Sequence, residues 1–330
     1  MTNGGKQMSF LNKASFNKTN LQKFYSNYSY LVSFLILFFI ATIINPRFLS
    51  YTNLSTLLKQ AAIIGIVALG MNLVIIAGMI DLSVGSLVAL TAGLGVIVLN
   101  STGSIFLTLI FSLAFGTILG GINGVLITKG KIAPFIVTLA TMSAFRSIIV
   151  QLGQGGPFNV GEKSYNSFRL IAAGETLGIP NLAIIFIITA IIISIIMNKT
   201  KFGRYVYAVG SNENATNLTG INVNTIKNLV FCITGLLSGL SAFLLSSRLT
   251  SITAPNAGLG FELDAIASVA IGGTAMNGGR GKVFGTFLGA IMLQMINNIL
   301  VIANIPPFLE GLVKGIIIIV AVLFQSKNKS

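Results

Sequence analysis

The charged and polar side chains inside the apolar stretches are the first candidates for chemistry. In "VIIAGMIDLSVGSLVAL", residues 74–90, Asp81 is the only charged side chain between Lys59 and Lys129. A carboxylate at the centre of a membrane span costs about 2.5–3.5 kcal/mol on insertion scales. Asp81 is therefore either a proton or substrate relay inside the membrane, or the cap of a helix that starts beside it. The residues that follow, Leu82-Ser83-Val84-Gly85, favour the cap, because a carboxylate can accept the free N–H groups of a starting helix.

The other polar groups inside apolar stretches, Gln151 among them, can line a path or join helices. Arg146 has no partner close in sequence, so it can face a cavity or reach Glu310 or Asp264. Glu310 and Lys314 are four residues apart and can neutralise each other on one helix face. The amides can bind the hydroxyls of a polar solute or form interhelical hydrogen bonds, and both interpretations stay open. With Asp81 and Arg146, the candidates for a translocation path are Asn72, Asn123, Gln294, Asn297 and Asn298.

Several kinds of chemistry are excluded. The chain has no histidine, and Cys232 is its only cysteine, so neither an internal disulfide nor a His/Cys metal site can form. The glycine-rich stretch "IGGTAMNGGRGKVFG", residues 271–285, is not a phosphate-binding loop. Such a loop closing at Gly281-Lys282 needs glycine at Met276 and Ser or Thr at Val283. The stretch instead predicts a tight turn between two helices, and we expect no cofactor in this chain.

The composition is that of a polytopic membrane protein. Of the 330 residues, 54% are hydrophobic and only 8% are charged, and the mean hydropathy is +0.89. The net charge of +14 lies in short loops and tails between apolar runs, where cytoplasmic lysine and arginine are expected. No soluble module is large enough to bind a duplex, so we expect no nucleic-acid partner. The lipid bilayer itself is an expected partner.

The apolar runs predict an all-α membrane domain of about ten spans. A cytoplasmic amino terminus places 14 of the 21 Lys and Arg residues inside and five outside, so both termini are expected in the cytoplasm. The apolar run starts near Tyr30, too late for a cleaved signal peptide. We therefore predict a cytoplasmic tail over 1–28, a membrane domain over 29–326 and a short tail over 327–330. The predicted spans are 30–45, 60–79, 82–99, 104–128, 133–152, 181–197, 228–246, 263–276, 284–303 and 307–325.

A faint internal repeat suggests two halves of inverted topology. "FGTILG" at 115–120 recurs as "FGTFLG" at 284–289, and "KIAPFI" at 131–136 is echoed by "NIPPFL" at 304–309. In the predicted topology the two FGT helices run in opposite directions, and Asp264 begins its span as Asp81 does, but on the opposite face. Inverted halves place a substrate path near the midplane where they meet. Glycines four residues apart (Gly116, Gly120, Gly124; Gly285, Gly289) predict close helix packing.

The longest hydrophilic segment on the predicted cytoplasmic side is residues 198–227, "NKTKFGRYVYAVGSNENATNLTGINVNTIK". Ser211 can cap a short helix with Glu213 in its first turn, and Gly220 can end it. Docking on a cytoplasmic partner would require such a helix, whereas a plain connection would not. The chain is therefore a transporter subunit driven by a partner, a self-sufficient ion-coupled carrier, or a membrane enzyme. An ion-coupled carrier needs an acidic side chain inside the membrane. Because Asp81, Asp264 and Glu310 all fall near span ends, the carrier is the weaker of the first two hypotheses.

Four stretches together resemble the ribose-type permease subunits of bacterial ABC importers, within the simple-sugar and branched-chain permease superfamily. They are "GMIDLSVGS", "TKGKIAPFIVTLATMSAFR", "FGRYVYAVGSNENATNLTGINV" and "ELDAIASVAIGGTAMNGGRGKVFGT". The resemblance covers about residues 30–325. The chain departs from the family pattern at Ala77 and Met79, where Thr and Gly are usual, which affects local packing near Asp81.

The resemblance implies a fold like that of type II ABC importers and a non-catalytic permease in the bacterial cytoplasmic membrane. It implies a permease homodimer, a cytoplasmic ATPase subunit that binds ATP and magnesium, and an extracytoplasmic sugar-binding protein. By motif position, the ATPase-coupling residues are Gly203, Arg204, Glu213, Asn214, Ala215 and Gly220, with Ser211 as the cap. Asp81 and the turn glycines Gly85, Gly272, Gly273, Gly279 and Gly281 have structural or gating roles. Ribose is the first substrate expected, and xylose, galactose-type sugars and autoinducer-2 are alternatives.

Overall fold

The structure is a computed structural model that describes residues 30–303, 306, 309, 311–313, 315–316 and 319. The predicted tails, the Glu310–Lys314 pair, most of the predicted span 307–325 and the "NIPPFL" repeat lie outside the described residues or only partly within them. In the described part the chain is almost entirely helical.

Twelve α-helices follow one another between residues 30 and 302. They are α1 (Tyr30–Ile44), α2 (Tyr51–Ile76), α3 (Val84–Thr102), α4 (Ile105–Thr128), α5 (Pro134–Leu152), α6 (Glu162–Ala173), α7 (Asn181–Lys199), α8 (Lys201–Ser211), α9 (Glu213–Leu218), α10 (Val223–Leu249), α11 (Phe261–Ile271) and α12 (Val283–Ile302). A 3₁₀ helix, Pro46–Leu49, joins α1 to α2. Two short antiparallel pairs complete the fold: β1 (Pro157–Asn159) with β4 (Ser251–Thr253), and β2 (Glu175–Thr176) with β3 (Ile179–Pro180).

Seven described helices are long and apolar enough to cross a membrane: α2, α3, α4, α5, α7, α10 and α12. The prediction of a polytopic all-α membrane protein is confirmed, whereas the count of ten spans is not established. The predicted span 263–276 is wrong in extent, because α11 has only eleven residues and ends where Gly272 and Gly273 turn the chain. At 1.5 Å per residue α11 is about 16 Å long, half the thickness of a bilayer core.

The core is built around α2 and α10. Nearly every side chain of α2 from Ala61 onwards is buried, and α10 packs against α2, α3 and α4. Where α4 crosses α10, Gly116 and Gly120 face Gly235 and Gly239 so closely that an added Cβ on Gly116 would collide with the Gly235 carbonyl oxygen. Helices in lipid associate through such close backbone contacts, and the predicted glycine packing is confirmed here and between α11 and α12.

The two ends of the bundle carry different structures. We call the end that contains residues 77–79, 200–222 and 272–282 the junction end, because these segments contact one another there. Residues 129–133 belong to the same end, because the last turns of α4 before them contact Ser83 and Asn228. The opposite end contains both strand pairs and α6, and we call it the hairpin end. As predicted, α4 and α12 run in opposite directions between these ends: α4 ends at the junction end and α12 begins there.

Two irregular segments enter the bundle from opposite ends and meet. Residues 77–83 lead from the junction end to α3, and residues 254–260 lead from β4 to α11. The first turn of α3, into which residues 77–83 lead, touches the second segment at Gly85 and Gly258, where a Cβ on either glycine would collide with the carbonyl oxygen of the other. Irregular backbone at membrane depth is tolerated where it is buried in protein or lines a water-filled cavity. This meeting point is therefore the first place to look for a path.

Candidate coupling surface and transport path

The segment predicted as a coupling loop is two helices joined at a sharp corner. Thr200 caps α8 by accepting the Gly203 N–H at 3.3 Å, and Asn212 caps α9 by accepting the Ala215 N–H at 2.9 Å. The prediction that Ser211 is the cap is wrong: α8 continues through Ser211, so the first unpaired N–H groups follow Asn212. Gly220, at φ +82°, ends the segment as predicted.

The helix α8 was not foreseen, and it contains two predicted coupling residues. Gly203 packs against the Met197 backbone, where a Cβ would clash, and therefore allows the tight corner between α7 and α8. Arg204 is exposed on the same helix. Val206 and Val209 of α8 are buried, so this helix lies on the bundle rather than in solution.

The helix α9 projects from the junction end. Of its six residues only Thr216 is buried, while Glu213, Asn214 and Ala215 are exposed and Leu218 is 88% exposed. The Lys227 ammonium on α10 binds the Glu213 carboxylate at 2.7 Å and so ties the first turn of α9 to the bundle. The helix is therefore held to the bundle at its first turn and leaves most of its surface open for contact with another protein.

Behind α9, three segments meet through their backbones. The Gly279 N–H donates to the Ile76 carbonyl at the end of α2, at 2.8 Å, and Gly210 of α8 lies against the same carbonyl. Gly278 lies against Gly78 and Gly210. We call this contact of residues 76–78, 210 and 278–279 the glycine junction. No side chain separates its parts, so a displacement of α8 must move the end of α2 and the 272–282 turn.

Side chains complete the same region. The Tyr207 hydroxyl donates to the Gly281 carbonyl at 2.9 Å, and burial raises the pKa of Tyr207. Thr274 donates to the Asn72 side-chain oxygen at 2.8 Å. Of the predicted turn glycines, Gly272, Gly273, Gly279 and Gly281 lie in or next to the 272–282 turn. Gly85 lies instead in the first turn of α3. A glycine is needed at this position because the Gly258 backbone and the Glu262 carboxylate leave no room for a side chain.

Asp81 is 1% exposed and lies just before α3. Its carboxylate accepts the backbone N–H and the hydroxyl of Ser83, at 2.8 and 2.6 Å, and the Ser83 hydroxyl in turn accepts the Asn123 amide at 2.8 Å. The carboxylate thus fixes the residue that starts α3 and links it to α4. The predicted cap is not observed: the carboxylate accepts the N–H of Ser83, which precedes the first helical residue Val84, and Ser83 as the N-cap residue makes no side-chain cap hydrogen bond.

The predicted path residues do not converge on one site. Asn72 and Asn123 are completely buried and bond to other segments, and Asn298 exchanges two hydrogen bonds with Asn53 of α2, at 2.7 and 3.1 Å. Gln294 and Asn297 lie together on α12. For Asn72, Asn123 and Asn298 the geometry therefore favours interhelical hydrogen bonds over solute binding.

Arg146 is the exception, because it holds an irregular segment inside the bundle. Its guanidinium donates to the carbonyls of Ala254 and Ala257, at 3.1 and 2.6 Å, and to that of Pro255 at 3.4 Å. The negative charge that interacts with this guanidinium is the Glu262 carboxylate, which also lies beside Gly85. Sequence reasoning missed Glu262, although it stands in the same "ELDAIAS" stretch as the Asp264 that was considered.

The comparisons with known proteins agree over nearly the whole chain. The model of the family described as "Branched-chain amino acid transport system / permease component" matches residues 53–322. The ribose import permease RbsC of Haemophilus influenzae is 42% identical over 293 residues, which are 88% of this chain and 90% of that protein. The Bacillus subtilis RbsC is 42% identical over 295 residues, 89% and 91% of the two chains. The L-arabinose permease AraH of Escherichia coli is 32% identical over 303 residues, 92% and 91% of the two chains. No solved structure matches.

Proposed function

Since the chain belongs to the family of transport-system permease components, we propose that it is the membrane subunit of an ATP-driven ribose importer. ATP hydrolysis by a partner drives its conformational change through the junction end. In this proposal the junction end faces the cytoplasm, and α9 docks on an ATPase subunit that binds ATP and magnesium. The chain itself performs no catalysis and needs no cofactor of its own. Two copies form the membrane part, and an extracytoplasmic sugar-binding protein delivers sugar to the hairpin end.

One observation carries the proposal: the exposed, capped helix α9 is continuous with the glycine junction. A partner that pulls or pushes α9 displaces α8, and the backbone contacts at Gly210 and Gly279 pass that displacement to α2. Rigid-body movement of packed helices is a common way to couple a binding event to a distant opening. The end of α2 leads directly into residues 77–83 and so to the meeting point with Gly258.

The charge distribution supports the orientation. Eight described basic residues lie at the junction end (Lys129, Lys131, Lys199, Lys201, Arg204, Lys227, Arg280 and Lys282), and five lie towards the hairpin end (Arg47, Lys59, Lys163, Arg169 and Arg248). Positively charged short loops are retained in the cytoplasm. Ribose is the preferred substrate because two of the relatives named above as ribose permeases are 42% identical to the chain, against 32% for the arabinose permease.

A pair of exposed leucines allows a matched test of docking. Leu218→Asp places a charge on α9, and Leu177→Asp places the same charge on the hairpin end, where Leu177 is 96% exposed. Both variants are expressed together with the proposed ATPase and sugar-binding subunits. We expect Leu218→Asp to lose co-purification with the ATPase and ATP-dependent uptake of labelled ribose, and Leu177→Asp to keep the ATPase.

The outcomes separate the parts of the proposal. ATPase binding that is unchanged in Leu218→Asp would show that α9 is not the docking element. Uptake that runs on an ion gradient without ATP would favour a self-sufficient carrier. Uptake of xylose or galactose in preference to ribose would correct the substrate alone. Labelling of Asn214→Cys from outside intact cells would show that the junction end faces the exterior, opposite to the proposed orientation.

A further inference from the structure

The exposed face of α5 is apolar in its first turns, at Phe135, Ile136 and Leu139, but between Ala140 and Gln151 it differs in chemistry from the exposed faces of the neighbouring spans. Every exposed side chain on α4 between Phe106 and Leu126 is apolar, and those on α7 between Ile187 and Ile195 are all isoleucine. Such faces are suited to lipid. On α5, the exposed residues between Ala140 and Gln151 are small or polar, apart from Ile148.

Three polar side chains form a line along this face. Ser143, Ser147 and Gln151 are all exposed and four residues apart, so they follow one another on one side of the helix at about 6 Å intervals. We call them the α5 polar row. The buried hydroxyls of α4 form hydrogen bonds within their own helix: Ser112 and Thr128, for example, donate to the carbonyl four residues earlier, at 2.8 and 2.7 Å. None of the side-chain hydrogen bonds of the described residues involves the α5 polar row.

The polar row borders the segment that Arg146 anchors. Arg146 lies at the edge of the same face, next to Ser147, and its guanidinium is bonded to the 254–257 carbonyls. Pro255 and Asn256 are exposed in that segment. Free hydroxyl and amide groups, a half-exposed guanidinium and irregular backbone all occur together here. Each of them is costly against lipid tails and acceptable against water.

We propose that this face of α5 is one wall of the water-filled passage, and that Ser143, Ser147 and Gln151 exchange hydrogen bonds with the hydroxyls of a sugar moving along it. A single copy leaves the face open, so a second copy supplies the opposite wall. The part of this inference that concerns sugar rests on the proposed function. A row of individually weak sites is suited to a passage, because binding must be strong enough for entry and weak enough for exit.

Cysteine labelling tests the passage without assuming a substrate. In a Cys232→Ser background, cysteine replaces Ser143, Ser147 or Gln151 on α5, and Ile118 or Ile191 as controls on the lipid faces of α4 and α7. The full transporter in membrane vesicles is treated with a charged, membrane-impermeant methanethiosulfonate. Because the thiolate is the reacting form and needs water, we expect the α5 positions to react at least about tenfold faster than the controls. Equal rates on α5 and on the controls would overturn the proposal.

Two further readouts separate the remaining explanations. If a second copy packs tightly on α5 with no passage, Ser147→Cys will react slowly and will cross-link between copies under mild oxidation, which also overturns the proposal. Ribose, delivered with its binding protein, should slow labelling at the α5 positions and leave the controls unchanged. Fast labelling that no transported sugar slows would overturn the sugar contact. Fast labelling in a protein that shows no ATP-driven uptake would overturn the proposed function and leave the passage standing.

Discussion

The junction end and the hairpin end are held together by different kinds of contact. At the junction end, backbone meets backbone at Ile76, Gly210 and Gly279. At the hairpin end, the β1–β4 pair is a backbone connection, but α2 and α3 are joined to that end by side chains: Tyr51 donates to the Glu175 carboxylate, and the Asn100 side chain donates to the Asn159 carbonyl at 2.9 Å. Backbone contacts permit little relative movement, because an added or shifted atom has nowhere to go. Side-chain bonds can break and re-form one at a time, so the contacts of α2 and α3 with the hairpin end can rearrange while the junction end moves as a unit.

The largest effect is expected at the glycine junction. Gly210→Ala adds a Cβ that would overlap the Ile76 carbonyl oxygen, so the two segments must separate. We expect loss of transport and a fall in the free energy of unfolding of about 1–3 kcal/mol. The control is Gly315→Ala, where nothing lies within 4 Å. ATP-dependent uptake and thermal unfolding in detergent measure the two effects. Normal uptake by Gly210→Ala would show that the junction is not a rigid connection.

An intermediate effect is expected from the guanidinium that anchors residues 254–260. Arg146→Met keeps much of the side-chain length but leaves the Ala254 and Ala257 carbonyls without their donor, at a cost of about 1–3 kcal/mol. Hydrogen exchange of residues 254–260 should accelerate, while that of the glycine junction should not change. Arg146→Lys tests whether charge alone suffices, since an ammonium lacks the planar fork of arginine. Unchanged exchange at 254–260 in Arg146→Met would show that the anchor is unimportant.

The smallest effect is expected at the hairpin end. The Tyr51 hydroxyl and then the Lys59 charge hold the pKa of Glu175 below its usual range. A carboxyl whose pKa is lowered by folding stabilises the folded state above its unfolded pKa and loses that contribution as pH falls through the folded value. We therefore expect the hydrogen-exchange rate of residues 175–180, corrected for intrinsic rates, to be constant from neutral pH down to the ordinary carboxyl range. Below that range the rate should increase. Tyr51→Phe should move this rise to higher pH, and an identical profile would contradict the tether.

The sequence was sufficient where average polarity or residue size decides the structure. Apolar runs located the seven long helices, and glycine spacing predicted close packing of α4 and of α12, because both signals are local. The helices they pack against, α10 and α11, were not predicted. The α8 helix was missed because "KFGRYVYAVGS" is too polar for a span, and its buried face, Val206 and Val209, exists only once the bundle is formed. The same limit explains Asn212: which residue caps α9 depends on where α8 stops.

The candidate site was less predictable than the fold. Polar residues inside spans were correctly listed, but the list did not separate Asn72 and Asn123, which join helices, from Arg146, which holds an irregular segment. The partners of Arg146 are backbone carbonyls, which every residue type carries, so no side-chain pattern could reveal them. Gln151 of the α5 polar row was among the polar residues noted inside spans, but Ser143 and Ser147 were missed for a related reason. Serine occurs throughout the chain, and only exposure distinguishes Ser143 and Ser147 from the self-bonded hydroxyls of α4.

The near-complete exposure of α9 has an evolutionary consequence. Five of its six residues are exposed, and one of these, Glu213, forms an ion pair with Lys227 of α10. In the proposed complex, substitutions on α9 can follow changes in the ATPase subunit while the membrane interior stays as it is. The fit to the ATPase and the choice of substrate can then evolve separately.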